Sequence, residues 1–274
     1  MSEGELVART PLPATISTLS KDLRALGVRE GGTLLVHSSL SAIGWVAGRE
    51  HAVVLALQEV LGDEGTLVMP SHSSSLSDPA EWTNPPVPQT WFEAIRHETP
   101  AYDPDMTPTR GMGAIVNCFR SQRDALRSNH PSDSFVARGP AAARIVENHA
   151  LASSLGEESP LARLYDLEAS ILLLGVGYES NTSFHLAEYR ANWPSKRFIA
   201  NGAPILIEGR RRWQRYEDLD LNSDDFPALG ADFERDTHVV TRGRVGLAEC
   251  RVMPLRPAVD YAVGWIEQHR KIGV

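Results

Sequence analysis

Residues 32–72, "GTLLVHSSLSAIGWVAGREHAVVLALQEVLGDEGTLVMPSH", decide the fold class. The segments "GTLLVHSSL" and "GTLVMPSH" at the two ends are short and apolar, which predicts two buried strands. The segment between them, "EHAVVLALQEVLG", ends at a glycine and repeats its apolar residues at helical spacing: Val53, Val54, Leu57, Val60 and Leu61. A strand, a helix and a second strand in this order indicate a parallel sheet in an α/β fold.

The flanking segments extend this pattern. Upstream, "TISTLSKDLRALG" predicts a helix that begins after Thr15 and stops at Gly27. Downstream, "GMGAIVNCFR" and "GPAAARIVENH" predict helices, "SILLLGVG" predicts a strand, and "NTSFHLAEYRAN" predicts a further helix. A last helix is expected from the apolar face formed by Val259, Ala262, Val263 and Ile266. Strands and helices therefore alternate along most of the chain.

Two segments interrupt the alternation. Residues 73–110 are rich in proline and polar residues around one predicted helix, "TWFEAIRHE", and form a loop-rich insertion. The segment "APILIEGRRRWQRYED" predicts a β-hairpin that turns at Glu208 and Gly209. We therefore expect a single α/β domain over residues 1–274, with a mixed, largely parallel central sheet flanked by helices, a loop-rich insertion and a β-hairpin region.

Bulk composition limits the classes of function. Of the 274 residues, 42% are hydrophobic and 23% are charged, as in ordinary globular proteins. The net charge of -8 argues against a nucleic-acid partner, because phosphate binding needs a clustered basic surface. No apolar stretch approaches the roughly 20 residues that span a bilayer, and no signal-peptide pattern opens the chain, so we expect no membrane partner and a cytoplasmic location. Cys118 and Cys250 lie far apart without a CxxC partner, which argues against a disulfide or a structural zinc site.

His185 and Glu188 lie three residues apart in "NTSFHLAEYR", just after a predicted buried strand. The pair could be a metal site, a catalytic base with its orienting carboxylate, or a solvent-facing helix start. A metal site is disfavoured because no second histidine stands at the HExxH spacing and no third ligand can be named. Histidine suits a general base since its ordinary pKa is near 6.5, and Glu188 would share its helical face. A more distant carboxylate, such as Asp103, could orient His185 instead.

Polar residues also follow the two strands of the opening segment. Ser38, Ser39 and Ser41 end the first strand, where small side chains let a ligand approach the backbone, although they could equally make turn hydrogen bonds. His72 follows the second strand and could line the same edge or be an ordinary loop histidine. In "DPDMTPTRGMG", Thr109 and Arg110 precede a predicted helix and could bind phosphate at its N-terminus or form an ordinary cap.

Acidic residues concentrate in "YEDLDLNSDDFPALGADFERD", residues 216–236. They are Glu217, Asp218, Asp220, Asp224, Asp225, Asp232, Glu234 and Asp236. The segment could be a solvated polar connection, or it could be a lip that recognises a polycationic small molecule.

An ordered series of motifs resembles the aminoglycoside 3-N-acetyltransferase family. The motifs are "LLVHSSL", "GTLVMP", "DPDMTPTRGMG", "RSNHPSDSFVARG", "SLGEESPLARL" and "LLLGVGYESNTSFHLAE", and the resemblance covers about residues 15 to 265. It implies transfer of an acetyl group from acetyl-coenzyme A, as co-substrate, to the 3-amine of a 2-deoxystreptamine antibiotic. It also implies an antibiotic-resistance role and His185 as the general base; we expect no metal.

The resemblance assigns roles to the remaining candidates. The cofactor-binding residues would be His37, Ser38, Ser39, Leu40, Ser41, Thr107, Thr109, Arg110 and Met112. The substrate-binding residues would be His72, Asp103, Glu217, Asp218, Asp224 and Asp225. The loop-rich insertion and the hairpin region would form the acceptor side.

The chemistry of amide formation fits these roles. Only the unprotonated amine attacks a thioester, so a base must remove a proton before or during attack. The oxyanion needs donors, for which the backbone N–H groups near Ser38 or Ser39 and the hydroxyl of Thr182 are candidates. We expect direct transfer in a ternary complex, by a monomer or a homodimer. The alternatives are an N-acetyltransferase of another amine metabolite and a non-catalytic coenzyme A-binding protein.

Overall fold

The computed structural model describes residues 2–271 of the chain. Its α-helices are α1 (Glu3–Arg9), α2 (Ile16–Leu26), α3 (Leu40–Ile43), α4 (Arg49–Leu61), α5 (Phe92–Glu98), α6 (Gly113–Arg120), α7 (Ala142–Val146), α8 (Pro160–Asp166), α9 (Ser183–Arg190), α10 (Phe226–Thr237) and α11 (Leu255–His269). Its strands are β1 (Thr33–Ser38), β2 (Thr66–Pro70), β3 (Leu126–Arg127), β4 (Phe135–Arg138), β5 (Ser170–Leu174), β6 (Phe198–Ile207), β7 (Arg210–Leu219), β8 (Thr241–Val245) and β9 (Ala248–Pro254).

Seven of the strands form a central sheet in the order β3-β4-β2-β1-β5-β9-β8. Strand β1 pairs in parallel with β2 and with β5, whereas β4 and β9 run antiparallel to their neighbours. Five of the seven strands, β3, β2, β1, β5 and β8, consequently point in one direction. The prediction of a mixed, largely parallel sheet flanked by helices is confirmed.

The side chains of β1 alternate between two hydrophobic cores. Leu34 and Val36 pack in the core that includes residues of α2, α4 and α6. Leu35 packs in the core on the other face, which includes residues of α8, α9, α10 and α11. His37, two residues after Leu35, shares its side of the strand because side chains in a strand alternate with a period of two. The alternation therefore directs His37 toward the layer that contains α9.

Helix ends and the hairpin turn follow local sequence signals. Thr15 caps α2 through a capping box, and Gly27 ends that helix in the left-handed conformation. In the separate two-stranded sheet of β6 and β7, Ile207 pairs with Arg210. The turn residues Glu208 and Gly209 have φ angles of 51° and 73°. The predicted hairpin and its turn are confirmed, and the strands are longer than the alternating segment indicated.

The loop-rich insertion packs against this hairpin. The predicted helix in the insertion is α5, and the rest of residues 73–110 consists of loops and short 3-10 turns. The N–H of Tyr102 donates to the carbonyl of Pro204 at 2.8 Å, and the guanidinium of Arg211 donates to the carbonyl of Thr99 at 3.0 Å. The insertion and the hairpin therefore form one side of the molecule.

The acidic segment, residues 216–236, is not a polar connection throughout, because much of it is helical. Residues 226–237 form α10, whose buried side chains Phe226, Leu229 and Phe233 recur at helical spacing. The charged residues between them hid this apolar face. Four strands were not predicted from the sequence. Strands β3 and β4 are only two and four residues long, and charged residues interrupt the apolar pattern of β8 and β9. Within residues 2–271, no helix has the length and apolarity to cross a membrane.

Candidate active site

The parallel strands β1 and β5 end side by side, and the candidate residues gather at that edge. Ser38 and Leu174, the last residues of these strands, are paired in register. Gly175 follows with a φ angle of 70°, and a Cβ atom there would lie 2.4 Å from the Cβ of Ala42. Only glycine fits this turn, which leads the chain toward α9. Ligands of open α/β sheets bind at such carboxyl edges.

His185 and Glu188 form a close pair on α9. The Nδ1 atom of His185 lies 2.5 Å from the Oε2 atom of Glu188. Because a carboxylate oxygen only accepts, we assign the ring proton to Nδ1, which leaves a lone pair on Nε2. The side chain of His185 is 14% exposed and that of Glu188 is 0% exposed. Among the described residues, the Nε2 atom of His185 has no hydrogen-bond partner.

The second oxygen of Glu188 is held by distant residues. Its Oε1 atom accepts from Nη1 of Arg270 at 2.5 Å and from the N–H of Asn222 at 3.1 Å. The same guanidinium donates to both oxygens of Asp225 at 2.7 Å. Burial opposes the charge of Arg270, but its hydrogen bonds to Asp225 and Glu188 raise its pKa. Glu188 is thus held in place as a hydrogen-bond acceptor for His185.

Two neutral histidines lie near this pair. Burial, followed by the neighbouring imidazoles of His72 and His185, lowers the pKa of His37 to about 3. Burial also lowers the pKa of His72 to about 4, where Asp133 acts in the opposite direction and His185 adds to the lowering. The Nε2 atom of His37 lies 3.4 Å from the hydroxyl of Thr182, the residue before α9. These three imidazoles therefore share one electrostatic environment, in which His37 and His72 are uncharged near neutral pH.

A cavity of about 240 Å³ opens beside Thr182. Its lining brings together parts of four predicted motifs, through residues that include His37, Pro70, Met112 and Thr182. The hydroxyl of Ser38 is buried without a hydrogen-bond partner among residues 2–271. A buried hydroxyl without a partner costs free energy unless a ligand or water satisfies it. The cavity is therefore a candidate site for part of a ligand.

The other candidates for coenzyme A binding make contacts within the protein. The N–H of Ser39 donates to the carbonyl of Leu174 at 2.9 Å, so it is not available as an oxyanion donor, and this corrects that prediction. Leu40 packs against a hydrophobic core, and Ser41 lines a neighbouring cavity of about 500 Å³. Thr107 is buried and accepts from the N–H of Asp103 at 2.9 Å. These contacts hold the predicted segments at the edge of the sheet.

Thr109 and Arg110 anchor the start of α6 instead of pointing into the cavity of Ser38. The hydroxyl of Thr109 donates to the side chain of Asn117 at 2.7 Å. The guanidinium of Arg110 is exposed and donates to the carbonyl of Asn84 at 3.2 Å. The N–H of Arg110 also donates to the carbonyl of His72 at 2.8 Å. This segment therefore ties the insertion to the end of β2.

The predicted acidic lip is not one continuous surface. Asp218 is buried and accepts from the hydroxyl of Tyr189, and Asp225 is bound to Arg270. Glu217 and Asp224 are exposed and have no cationic partner in the described part of the chain. Four further acids pair with arginines: Asp220 with Arg197, Asp232 and Asp236 with Arg235, and Glu234 with Arg242. These ion pairs correct the prediction of a free acidic lip.

Asp103 does not orient His185. Its Oδ1 atom accepts from the N–H groups of Asp105 at 2.8 Å and Met106 at 3.0 Å, which closes a local turn. The contact of Glu188 with His185 corrects the alternative that Asp103 has this role. Among residues 2–271, no group of three or more His, Cys, Asp or Glu side chains could hold a metal ion. The absence of a resident metal stays a prediction.

Sequence reasoning missed Arg270 and Asn222. They follow Glu188 by 82 and 34 residues, respectively. Separations of this length leave no local pattern, so only an alignment of related sequences could have pointed to them. Together, the fold and the contacts define an α/β protein with a histidine–carboxylate pair suited to proton abstraction, at the carboxyl edge of its parallel strands.

Comparison with known proteins identifies the family. Residues 35–267 match the family model described as aminoglycoside 3-N-acetyltransferase. The SPbeta prophage-derived aminoglycoside N(3')-acetyltransferase-like protein YokD of Bacillus subtilis is 49% identical over 262 residues, or 95% of each chain. Aminoglycoside N(3)-acetyltransferase VII of Streptomyces paromomycinus is 36% identical over 284 residues, which cover 98% of this chain and 96% of the relative.

Solved structures agree with this match. The crystal structure of Bacillus subtilis YokD is 48% identical, with a TM-score of 0.94 and coverage of 97% of this chain and 98% of YokD. AAC-VIa bound to sisomicin has a TM-score of 0.86 at 32% identity, over 94% of this chain and 99% of that chain. AAC-IIIb in a binary complex with CoASH has a TM-score of 0.84 at 27% identity, over 96% of this chain and 100% of that chain. The chain belongs to the aminoglycoside 3-N-acetyltransferase family and is an acetyl-coenzyme A-dependent acyltransferase.

Proposed function

We propose that this protein acetylates the 3-amino group of a 2-deoxystreptamine aminoglycoside, with His185 as the general base. The contact between His185 and the buried Glu188 is the observation that carries the proposal. A hydrogen bond from Nδ1 to a fixed carboxylate holds the imidazole in one orientation and stabilises the imidazolium that forms. Sisomicin in AAC-VIa and CoASH in AAC-IIIb, both structural neighbours, support an aminoglycoside acceptor and coenzyme A as the carrier.

The reaction is a direct transfer in a ternary complex. The amine attacks the thioester carbonyl carbon, the new C–N bond forms, and the C–S bond breaks as the coenzyme A thiolate leaves. The Nε2 atom of His185 accepts the proton that the amine loses, and the thiolate takes up a proton. Cys250 is no candidate for a covalent acetyl carrier, because burial raises the pKa of its thiol to about 11.

We assign the binding site of the acetyl carrier, acetyl-coenzyme A, to the cavity beside Thr182. The unpartnered hydroxyl of Ser38 and the first turn of α6 offer donors to a thioester or its pantetheine arm. If His37 donates from Nε2 to the hydroxyl oxygen of Thr182, the proton of Thr182 remains free for the oxyanion. Thr182 is thus our candidate oxyanion donor, since the N–H of Ser39 is engaged in the sheet.

The acceptor would enter from the side of the insertion and the hairpin. The ion pairs within the acidic segment leave fewer free carboxylates for a polycation than the sequence suggested. This pairing favours a second candidate, acetylation of a less highly charged amine metabolite. A panel of acceptors that includes aminoglycosides and monoamines distinguishes the two candidates.

The test is a coenzyme A release assay on the wild type, His185→Ala and His97→Ala. His97 is the matched control, since it lies in a different helix, α5, and forms an exposed pair with Glu98 at 2.6 Å. We expect His185→Ala to lower kcat by about 100-fold or more, and His97→Ala to retain wild-type kcat.

Each outcome has a definite meaning. Near-wild-type kcat in His185→Ala would eliminate His185 as the base. Turnover of monoamines alone, with no aminoglycoside in the panel acetylated, would replace the aminoglycoside proposal by the second candidate. Binding of acetyl-coenzyme A without turnover of any amine would indicate a non-catalytic coenzyme A-binding protein.

A further inference from the structure

A second histidine–carboxylate contact lies at the same edge of the sheet. The ladder between β2 and β4 continues past both strands, with Ser71 N–H donating to the Ser134 carbonyl at 2.8 Å and Ser73 N–H donating to the Ser132 carbonyl at 2.7 Å. His72 and Asp133 are therefore opposite each other in the extended ladder. The Nδ1 atom of His72 and the Oδ1 atom of Asp133 lie 4.0 Å apart.

Asp133 carries a negative charge that no lysine or arginine within residues 2–271 neutralises by an ion pair. The ionisable side chains that contact Asp133 are those of His72, at 4.0 Å, and His130, at 3.7 Å. Burial lowers the pKa values of both histidines, so they are neutral near pH 7. Burial acts against the charge of Asp133, but its histidine neighbours and a 2.7 Å hydrogen bond from Ser132 lower its pKa. Asp133 is therefore an uncompensated carboxylate.

Some hydrogen-bonding atoms at and near Asp133 also lack a partner among the described residues. The Ser132 hydroxyl donates to Oδ2, whereas Oδ1 accepts no hydrogen bond from the described residues. The hydroxyl of Tyr216, on β7 of the hairpin, is buried without a partner among the same residues. The ring of Tyr216 lies 6.3 Å from the ring of His130, which contacts Asp133 at 3.7 Å. Burial and then Asp133 raise the pKa of Tyr216, against a lowering by the Ser132 side chain, so the phenol stays protonated. The side chain of Asp133 is 28% exposed and can be reached by a ligand.

His72 connects this group of side chains to His185. Its imidazole lies 4.0 Å from Asp133, and the charge of His185 adds to the lowering of its pKa. Its Nε2 atom is buried without a hydrogen-bond partner in the described part of the chain. The Oδ1 atom of Asp133, the phenol of Tyr216 and the Nε2 atom of His72 thus have no hydrogen-bond partner among residues 2–271. Such groups are costly to bury unless a ligand or water binds them.

We propose that Asp133 and Tyr216 form a subsite for a protonated amino group of the acceptor, other than the amine that is acetylated. The inference rests on the proposed function. An ammonium group has three donors and a positive charge, which match the free Oδ1 atom of Asp133 and the hydroxyl oxygen of Tyr216. The Nε2 atom of His72 accepts a hydrogen bond from a neighbouring N–H or O–H of the same ligand. The main sheet and the hairpin each supply one side of the subsite.

The test measures the Kd of sisomicin by calorimetry in Asp133→Asn, Asp133→Glu and Tyr216→Phe. Asp124→Asn is the matched control, because it removes the same charge at an exposed position that lines a separate cavity with Gly62 and Arg138. We expect Asp133→Asn to raise the Kd by about tenfold or more and Tyr216→Phe to raise it by a smaller factor. Asp133→Glu should retain part of the affinity, and Asp124→Asn should stay within twofold of wild type.

Binding is measured without acetyl-coenzyme A, so the two proposals can fail separately. If sisomicin is acetylated and Asp133→Asn binds it with wild-type affinity, the subsite is wrong and the proposed function stands. If sisomicin binds in an Asp133-dependent manner but is not acetylated, the subsite stands and the aminoglycoside function fails. A parallel loss of CoA affinity in Asp133→Asn would show general distortion and overturn the subsite, as would the absence of sisomicin binding to the wild type.

Discussion

At the scale of single residues, Glu188 divides its two oxygens between His185 and Arg270. Its Oε2 atom contacts His185 and orients the proposed base, whereas its Oε1 atom accepts from Arg270 and neutralises the charge of that buried guanidinium. Removal of one member of a buried ion pair leaves its partner uncompensated, which is costly. A substitution at Glu188 therefore changes both catalysis and stability, and the two effects must be separated by a control.

Glu188→Gln should lower kcat by about 100-fold or more, because the neutral amide supports neither the tautomer nor the imidazolium of His185. The matched control is Asp225→Asn, which weakens the other anchor of Arg270 but leaves the contact between His185 and Glu188 intact. Both variants should unfold at lower temperature, and only Glu188→Gln should lose kcat in the coenzyme A release assay. Equal losses of kcat would show that the role of Glu188 is structural.

At the scale of secondary-structure elements, the hairpin of β6 and β7 turns through two residues with positive φ. This geometry favours asparagine followed by glycine. Glutamate, which stands at position 208, adopts a positive φ angle less readily than asparagine does. The hairpin also packs against the insertion and supplies Tyr216 to the proposed ammonium subsite. The turn therefore affects the acceptor side of the molecule.

Glu208→Asn should stabilise the protein by about 0.5 kcal/mol, because asparagine adopts the left-handed conformation more readily. The free energy of unfolding in urea measures this change. Glu217→Asn, at an exposed position on β7, removes the same charge outside the turn and should give no gain. A similar gain in both variants would assign the effect to net charge instead of to the turn.

At the scale of the whole molecule, two cores lie on opposite faces of one sheet, and its strands supply residues to both. Because both cores are built on the same strands, loss of the sheet would expose both cores to solvent. We therefore propose that the chain unfolds as a single domain, so that transitions followed by tryptophan fluorescence and by far-UV circular dichroism coincide. The buried neutral histidines add a dependence on pH to this global stability.

Acid should destabilise the fold below about pH 6.5. The pKa values of His37 and His72 are about 3 and about 4 in the folded protein, below the ordinary value of 6.5. As the pH falls, the unfolded chain takes up these protons first, so each histidine contributes a loss of up to about 1.4 kcal/mol per pH unit. Urea unfolding between pH 7 and pH 4 measures the slope. His72→Gln should reduce it, and the exposed control His97→Gln should not; parallel curves for wild type and His72→Gln would contradict the assignment.

The sequence by itself determined the features that depend on neighbouring residues. Apolar periodicity predicted β1, α4 and β2, because buried strands and amphipathic helices repeat their side chains at fixed intervals. Capping residues located the ends of α2, and a two-residue turn located the hairpin. The three-residue spacing of His185 and Glu188 placed both side chains on one helical face. Each of these signals lies within a few residues, where backbone geometry alone sets the outcome.

Only the tertiary structure decided which charged groups meet. Arg270 reaches Glu188 from the end of α11, and Asp133 lies opposite His72 across two extended strands. The eight acids of residues 216–236 looked alike in sequence, yet most are paired with arginines or buried. Asp133, outside that segment, has no lysine or arginine partner among the residues that the structure describes. The reason is physical: the state of a carboxylate depends on burial and on charges within a few ångströms, and the folded chain brings those together from distant parts of the sequence.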